Sequence, residues 1–193
     1  MPLARALLEA GLPCLEITFR AEGAADAIAA IRHEVPEVLV GAGTVLDVAQ
    51  AADALAAGAC FVVAPGTSPS VVEHVTARGI LMLPGVATPT EIQANLARGL
   101  DTLKLFPAEV VGGIAFLKAV HGPYPGVRFV PTGGVSSANL AAYLALPNVL
   151  ACGGTWIAPS ERLMTGDLAW VRERAAEAAA TVAATRGTGG GGA

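Results

Sequence analysis

Seven short apolar runs recur along this chain with helical stretches between them, and that alternation leaves few folds open. The runs are CLEITF (14–19), VLVGAGTV (38–45), CFVVAP (60–65), ILMLPGV (80–86), LKLFP (103–107), RFVPTG (128–133) and VLACGG (149–154). Between them lie AADAIAAIRHEV, LDVAQAADALAAG, SVVEHVTARG, PTEIQANLARG, GIAFLKAVHG and SSANLAAYLAL. Each carries apolar residues at helical spacing, and several close on a glycine suited to a helix C-cap. The repeat of roughly 20–25 residues is what tight βα units require. Nearly continuous apolar strands alternating with helices imply a parallel sheet covered by helices. With no GxGxxG after the first strand, the pattern favours an α/β fold of the (β/α)8 TIM-barrel type over a doubly wound sheet. Only seven of its eight strands are visible, so the first is read as missing ahead of Met1. A helix at PLARALLEAG leads, and another spans about 168–184. The reading is one domain over 1–184, followed by a glycine-rich tail, 185–193, that is expected to be disordered.

Composition narrows the class. A chain that is 53% hydrophobic and 15% charged is globular. A net charge of −4 without a basic run argues against a nucleic-acid surface. No apolar run has membrane-spanning length, and MPLARALLEAGLP is too short and too amphipathic for a signal peptide, so a soluble cytoplasmic protein is expected. Cys14, Cys60 and Cys152 have no metal-ligand or disulfide spacing and read as buried free thiols. His33, His74 and His121 fall on helices or just past them, where surface roles outweigh ligation. Trp156 and Trp170 read as packing.

Lysine occurs only twice, at Lys104 and Lys118, against ten arginines. Yet Lys104 lies between Leu103 and Leu105 in an apolar strand, where an unpaired ammonium would cost several kcal/mol or lose its proton. Side chains alternate along a strand. Leu15, Ile17 and Phe19 share the helix-facing side of one strand and Leu103 and Leu105 that of another. Glu16, Thr18, Arg20, Lys104 and Phe106 therefore face the barrel interior. Thr44 and Thr132 lie near the C-terminal ends of their strands, the end where such barrels build active sites. A desolvated lysine beside a cation is a neutral nucleophile toward ketones. A carboxylate such as Glu16 can shuttle the protons, and Arg20 can hold a substrate carboxylate through a bidentate contact. Together they describe a class I aldolase acting on a 2-keto acid. Structural alternatives exist: Glu16 with Arg20 as an ion pair, Thr44 as a strand-end hydrogen bonder, and Lys104 paired with Glu16 to fill the interior. PTGGVS (131–136) and CGGTW (152–156) are glycine-bearing strand ends whose freed amides suit a phosphate. Glu109, just past Lys104's strand, reads as a loop or structural residue.

LEITFR, VGAGTVL, VVAPG, LPGVATPTE, LKLFPAE, VRFVPTGGVS and CGGTW resemble the corresponding segments of the 2-keto-3-deoxy-6-phosphogluconate (KDPG) aldolase family, which also cleaves 4-hydroxy-2-oxoglutarate. The resemblance runs over nearly the whole chain, in order. It implies a homotrimeric class I aldolase cleaving the phosphorylated keto sugar acid to pyruvate and glyceraldehyde 3-phosphate, with no metal and no cofactor beyond the lysine Schiff base. By position it implies Lys104 as Schiff-base lysine, Glu16 as general acid/base, and Arg20 and Thr44 on the pyruvate carboxylate. Pro65 and Phe106 would form the pocket wall, and Thr132, Gly133, Gly134, Gly154 and Thr155 would surround the phosphate. Two departures stand out. Thr155 replaces a serine common in the family, and the family's first helix and strand have no counterpart before MPLARALLEAG. The competing readings are a phosphosugar isomerase or epimerase on the same barrel, which needs no interior Schiff-base lysine, and a truncated non-catalytic trimeric paralogue.

Overall fold

The computed structural model of the protein describes residues 1–187. Its strands are β1 (Cys14–Thr18), β2 (Leu39–Gly43), β3 (Phe61–Val63), β4 (Leu81–Leu83), β5 (Gly85–Val86), β6 (Thr102–Leu105) and β7 (Arg128–Pro131). All pair in parallel, in the orders β1-β2-β3-β4 and β5-β6-β7. The run at 80–86, expected as one strand, is broken at Pro84, which has no N–H to give the ladder. Its first half pairs with β3 and its second with β6, so this one stave joins the two sheets. The expected strand at 149–154 forms no regular ladder. It touches β7 through two parallel bridges, Phe129 with Val149 and Thr132 with Gly153. Counting β4 and β5 as one stave and the bridged 149–154 run as another, seven staves follow one another in chain order. Parallel staves joined by helices are the arrangement of the (β/α)8 TIM-type barrel. Among the described residues, no strand pairs with the free edge of β1.

Helices fill the intervals: α1 (Pro2–Glu9), α2 (Ala24–Glu34), α3 (Val48–Ala56), α4 (Pro69–Thr76), α5 (Pro89–Leu96), α6 (Gly113–His121), α7 (Leu140–Leu144), α8 (Ser160–Met164) and α9 (Leu168–Gly187). α8 was not expected; it is a single short turn of helix after Pro159. α9 carries the chain through 185–187, which the sequence assigned to the tail; 188–193 lie outside the described residues. Among the described residues no helix is long and apolar enough to cross a membrane.

The outward strand faces and the helices make the core. Val40, Ala42, Val62 and Met82 pack with Ile28, Ile31, Val71 and Val75 of the surrounding helices. Leu103, Leu105 and Phe129 pack with Leu117, Leu140 and Tyr143. A third, smaller group seats α1 on α9 through Leu7, Val171 and Ala175, where alanine lets the helices approach closely. All these strands send their outward side chains into helices, which leaves the inward set to the barrel axis and the mouth.

The loop from β5 to α5 is fixed at that mouth by a full capping box. The Thr88 side chain accepts from the Glu91 N–H at 3.3 Å. The Glu91 carboxylate in return accepts from the N–H groups of Ala87 at 2.8 Å and Thr88 at 2.9 Å. The Ala87 amide, above all, holds the Glu91 carboxyl below its ordinary value. A carboxyl whose pKa is lower folded than unfolded contributes stability that is present above its unfolded value and is lost as pH falls through the folded one. Thr88→Ala is expected to lower urea-unfolding stability by about 1 kcal/mol. Glu91→Gln is expected to be destabilising at neutral pH, with the gap closing in acid; a gap that stays constant down to about pH 3 would contradict the charged cap.

Candidate active site

The inner face of β1 carries Glu16 and Thr18, because Leu15 and Ile17 are taken by the core on the other side. Glu16 stands beside Gly41 in the ladder, yet its carboxylate leans toward the mouth, over Gly43. A Cβ on Gly43 would overlap the Glu16 carboxylate, and one on Gly41 would overlap the Phe61 ring. The two glycines of GAG in β2 are thus the floor on which Glu16 and Phe61 lie. Thr44, one residue past the strand, is half-buried and adopts φ 56°, the left-handed region that a threonine enters only at a cost of about 1–3 kcal/mol. Arg20 is exposed at the top of β1, and its Nε donates to Thr18 Oγ1 at 3.4 Å. Among the described residues no hydrogen bond joins Arg20 to Thr44.

Lys104 is 5% exposed, between Leu103 and Leu105, which are 0% exposed and face the helices. Its backbone is locked on both sides, opposite Gly85 in β5 and Val130 in β7. The Nζ lies 5.1 Å from the centroid of the Phe106 ring. Among the described residues no carboxylate forms an ion pair with it. Burial is the main cause holding this amine below the ordinary lysine value of 10.5. The charge of Glu16 opposes that shift and the charge of Arg20 adds to it. The amine, the carboxylate and the guanidinium therefore act on one another inside the same barrel end. The interior-filling Lys104–Glu16 pair is not what the side chains form.

Pro65 is half-buried at the end of β3. It is pressed against β5, because a Cβ on Gly85 would overlap the Pro65 carbonyl. Thr67 Oγ1 donates to the Gly85 carbonyl at 3.1 Å and accepts from the buried Asn95 side chain at 2.8 Å. Sequence reasoning missed this brace; its only trace was an asparagine on the apolar side of α5.

The two glycine-bearing loops meet. Thr132 bridges Gly153, and the Gly153 N–H donates to Pro131 at 2.9 Å. Gly133 and Gly134 have φ 95° and 87°, and Gly154 is packed so closely on the Trp156 ring that a Cβ would overlap it. No hydrogen bond between described residues uses the N–H groups of Gly133, Gly134, Gly154 or Thr155. Four backbone amides at adjoining strand ends are thus without a hydrogen-bond acceptor among the described residues. Among the thiols, the burial expectation is corrected. Cys14 is exposed and Cys60 and Cys152 are half-buried, because the first two sit at or just before strand starts, where the helix cover ends. Burial nonetheless pushes the Cys152 thiol up to about 12, which leaves it unreactive.

The chain matches the KDPG and KHG aldolase family over residues 1–174. It is 53% identical over 171 residues, 89% of this chain and 81% of the relative, to the 2-dehydro-3-deoxy-phosphogluconate aldolase of Treponema pallidum. Its fold superposes with a TM-score of 0.88 and 39% identity on the KDPG aldolase of Legionella pneumophila, over 91% of this chain and 85% of that one. That structure captured pyruvate as a covalent carbinolamine intermediate. The aldolase of Zymomonas mobilis ZM4, seen with 3-phosphoglycerate, superposes with a TM-score of 0.87 and 40% identity over 93% and 84% of the two chains.

The electrostatics of Lys104 can be read from its reactivity. Its modification by an amine-selective reagent, followed by peptide mass spectrometry across pH, is expected to show a midpoint below 10.5. Glu16→Gln should move the midpoint further down, by removing an attraction for the ammonium, and Arg20→Gln should move it up. Shifts of the opposite sign would mean that these charges do not face the amine.

Proposed function

Because this chain belongs to the KDPG and KHG aldolase family, we propose that it cleaves 2-keto-3-deoxy-6-phosphogluconate to pyruvate and glyceraldehyde 3-phosphate through a Schiff base on Lys104. The same chemistry extends to 4-hydroxy-2-oxoglutarate, which gives pyruvate and glyoxylate. The observation that carries the residue assignment is the buried amine of Lys104, depressed by desolvation and within the fields of Glu16 and Arg20.

The neutral amine adds to the C2 carbonyl, and the carbinolamine loses water to form an iminium. Glu16 relays the protons of these steps from its place over Gly43. It then takes the proton of the C4 hydroxyl as the C3–C4 bond breaks. The bonding electrons move into the iminium, which becomes an enamine, and C4 leaves as the aldehyde carbon of glyceraldehyde 3-phosphate. The enamine takes a proton at C3, and water hydrolyses the imine to release pyruvate and the free amine. Arg20 and Thr44 hold the C1 carboxylate, with the guanidinium as the charged clamp. Pro65 and Phe106 wall the pocket, the Phe106 ring lying beside the amine. Thr132 and the free amides of Gly133, Gly134, Gly154 and Thr155 receive the phosphate. Thr155 supplies the hydroxyl that serine brings elsewhere in the family. Every chemical step is thus assigned to side chains of this one chain, so the function proposed needs no metal. A homotrimer, which the resemblance implies, would cover some of the exposed apolar side chains such as Val110 and Met164, 83% and 87% exposed. Sedimentation equilibrium is expected to give three chains, and a monomer would contradict it.

Incubation with pyruvate, reduction with borohydride and peptide mapping are expected to place the adduct on Lys104. No adduct, or one on Lys118, would contradict the assignment. Glu16→Gln is expected to keep the fold and to slow turnover by about 10²–10⁴-fold.

A further inference from the structure

The chain segment that leaves Lys104 also builds the wall of the anion loop. After β6 the N–H of Ala108 donates to the Thr132 carbonyl at 2.8 Å, and the N–H of Glu109 donates to the Gly133 carbonyl at 3.0 Å. The side chain of Glu109 then passes under Gly134 so closely that a Cβ on that glycine would overlap its Cβ and Cγ. Pro107 stands in the same way against Gly133, where a Cβ would come within 3.2 Å of the proline Cα. On its far side the loop is tied by Asn139, whose Oδ1 accepts from the Ser136 N–H at 2.8 Å and whose Nδ2 donates to the Gly134 carbonyl at 3.1 Å.

Glu109 itself is held by one side chain. Its Oε1 accepts a hydrogen bond from the hydroxyl of Tyr143, a residue of α7 that is 0% exposed and belongs to the core around β6 and β7. Gly113 closes the contact: a Cβ there would lie 2.6 Å from the Tyr143 hydroxyl and 2.9 Å from Glu109 Oε1. Burial, followed by the carboxylate itself, raises the Tyr143 pKa, so the phenol stays a donor throughout the working pH range. A carboxylate whose side chain packs against Gly134 is a hazard as well as a support to that loop. Anchored by Tyr143 it braces the loop from beneath; released, it can swing to the amides and repel an incoming dianion.

We propose that Glu109 and Tyr143 are a positioning pair that sets the phosphate-binding loop and thereby the preference for phosphorylated over unphosphorylated 2-keto acids. The proposal rests on the aldolase reading for its substrates, not for its geometry. Tyr143→Phe keeps the packing and removes the one hydrogen bond. It is expected to raise the KM for 2-keto-3-deoxy-6-phosphogluconate about tenfold, while kcat/KM for 4-hydroxy-2-oxoglutarate, which has no phosphate, stays within about twofold. Glu109→Ala should behave the same way, and Glu109→Gln, which still offers Tyr143 an acceptor, should stay near the unmodified protein. Parallel losses on both substrates would mean general loosening and overturn the proposal, as would no change on either. A second arm does not depend on Lys104. Inorganic phosphate, titrated by NMR against the amides of Gly133, Gly134 and Gly154, should bind about tenfold more weakly to Tyr143→Phe. Unchanged binding there overturns the pair. Pyruvate trapping that fails in the unmodified protein overturns only the aldolase reading.

Discussion

The desolvation of one ammonium governs this molecule. Moving a lysine into a barrel interior without a carboxylate in contact costs several kcal/mol if the charge is kept. Lys104 is nearly fully buried, and among the described residues no ion pair offsets the cost. Burial therefore holds the amine below the ordinary lysine value, which favours the neutral form that the proposed Schiff-base chemistry uses. Direct contact with Glu16 would favour the ammonium, because the carboxylate charge attracts the proton. The carboxylate instead lies over Gly43, and among the described residues it forms no ion pair with Lys104.

That placement depends on residues with no chemistry of their own. Gly41 and Gly43 give up their side chains so that Phe61 and Glu16 can lie on β2. Gly85 gives up its own so that the Pro65 turn can lie on β5, where Thr67 and Asn95 brace it. The outward faces of the same strands are filled with branched and aromatic side chains that fix the register by burial. A single-residue slip would send Lys104 among the helices and Leu103 into the pocket. The strand of Lys104 and the glycine turn after β7 are also mechanically continuous, since the backbone just past β6 pairs with that turn.

Much of this was legible in the order of residues. Period-two alternation in LEITFR and LKLF placed Glu16 and Lys104 inward, because leucine and isoleucine leave no other choice of face. Helix positions followed from spacing and from terminal glycines. What was not legible depends on neighbours distant in sequence. Pro84 splits a run that reads as one strand, because the break shows only once two different partners compete for it. The 149–154 run is as apolar as the others, but it pairs with β7 alone among the described residues and forms bridges rather than a ladder. The thiols looked buried because apolar residues surround them in sequence, whereas exposure follows the position along the strand. Glu109 read as a loop or structural residue with no partner named, since nothing near FPAE announces a tyrosine on α7.

A crystal of this protein soaked with pyruvate tests the account most directly. It should show continuous density from Lys104 Nζ to C2, with the carboxylate on Arg20 and Thr44 and the Glu16 carboxylate within hydrogen-bond reach of the new centre. Pyruvate held without a bond to Lys104, or bound through Lys118, would contradict it.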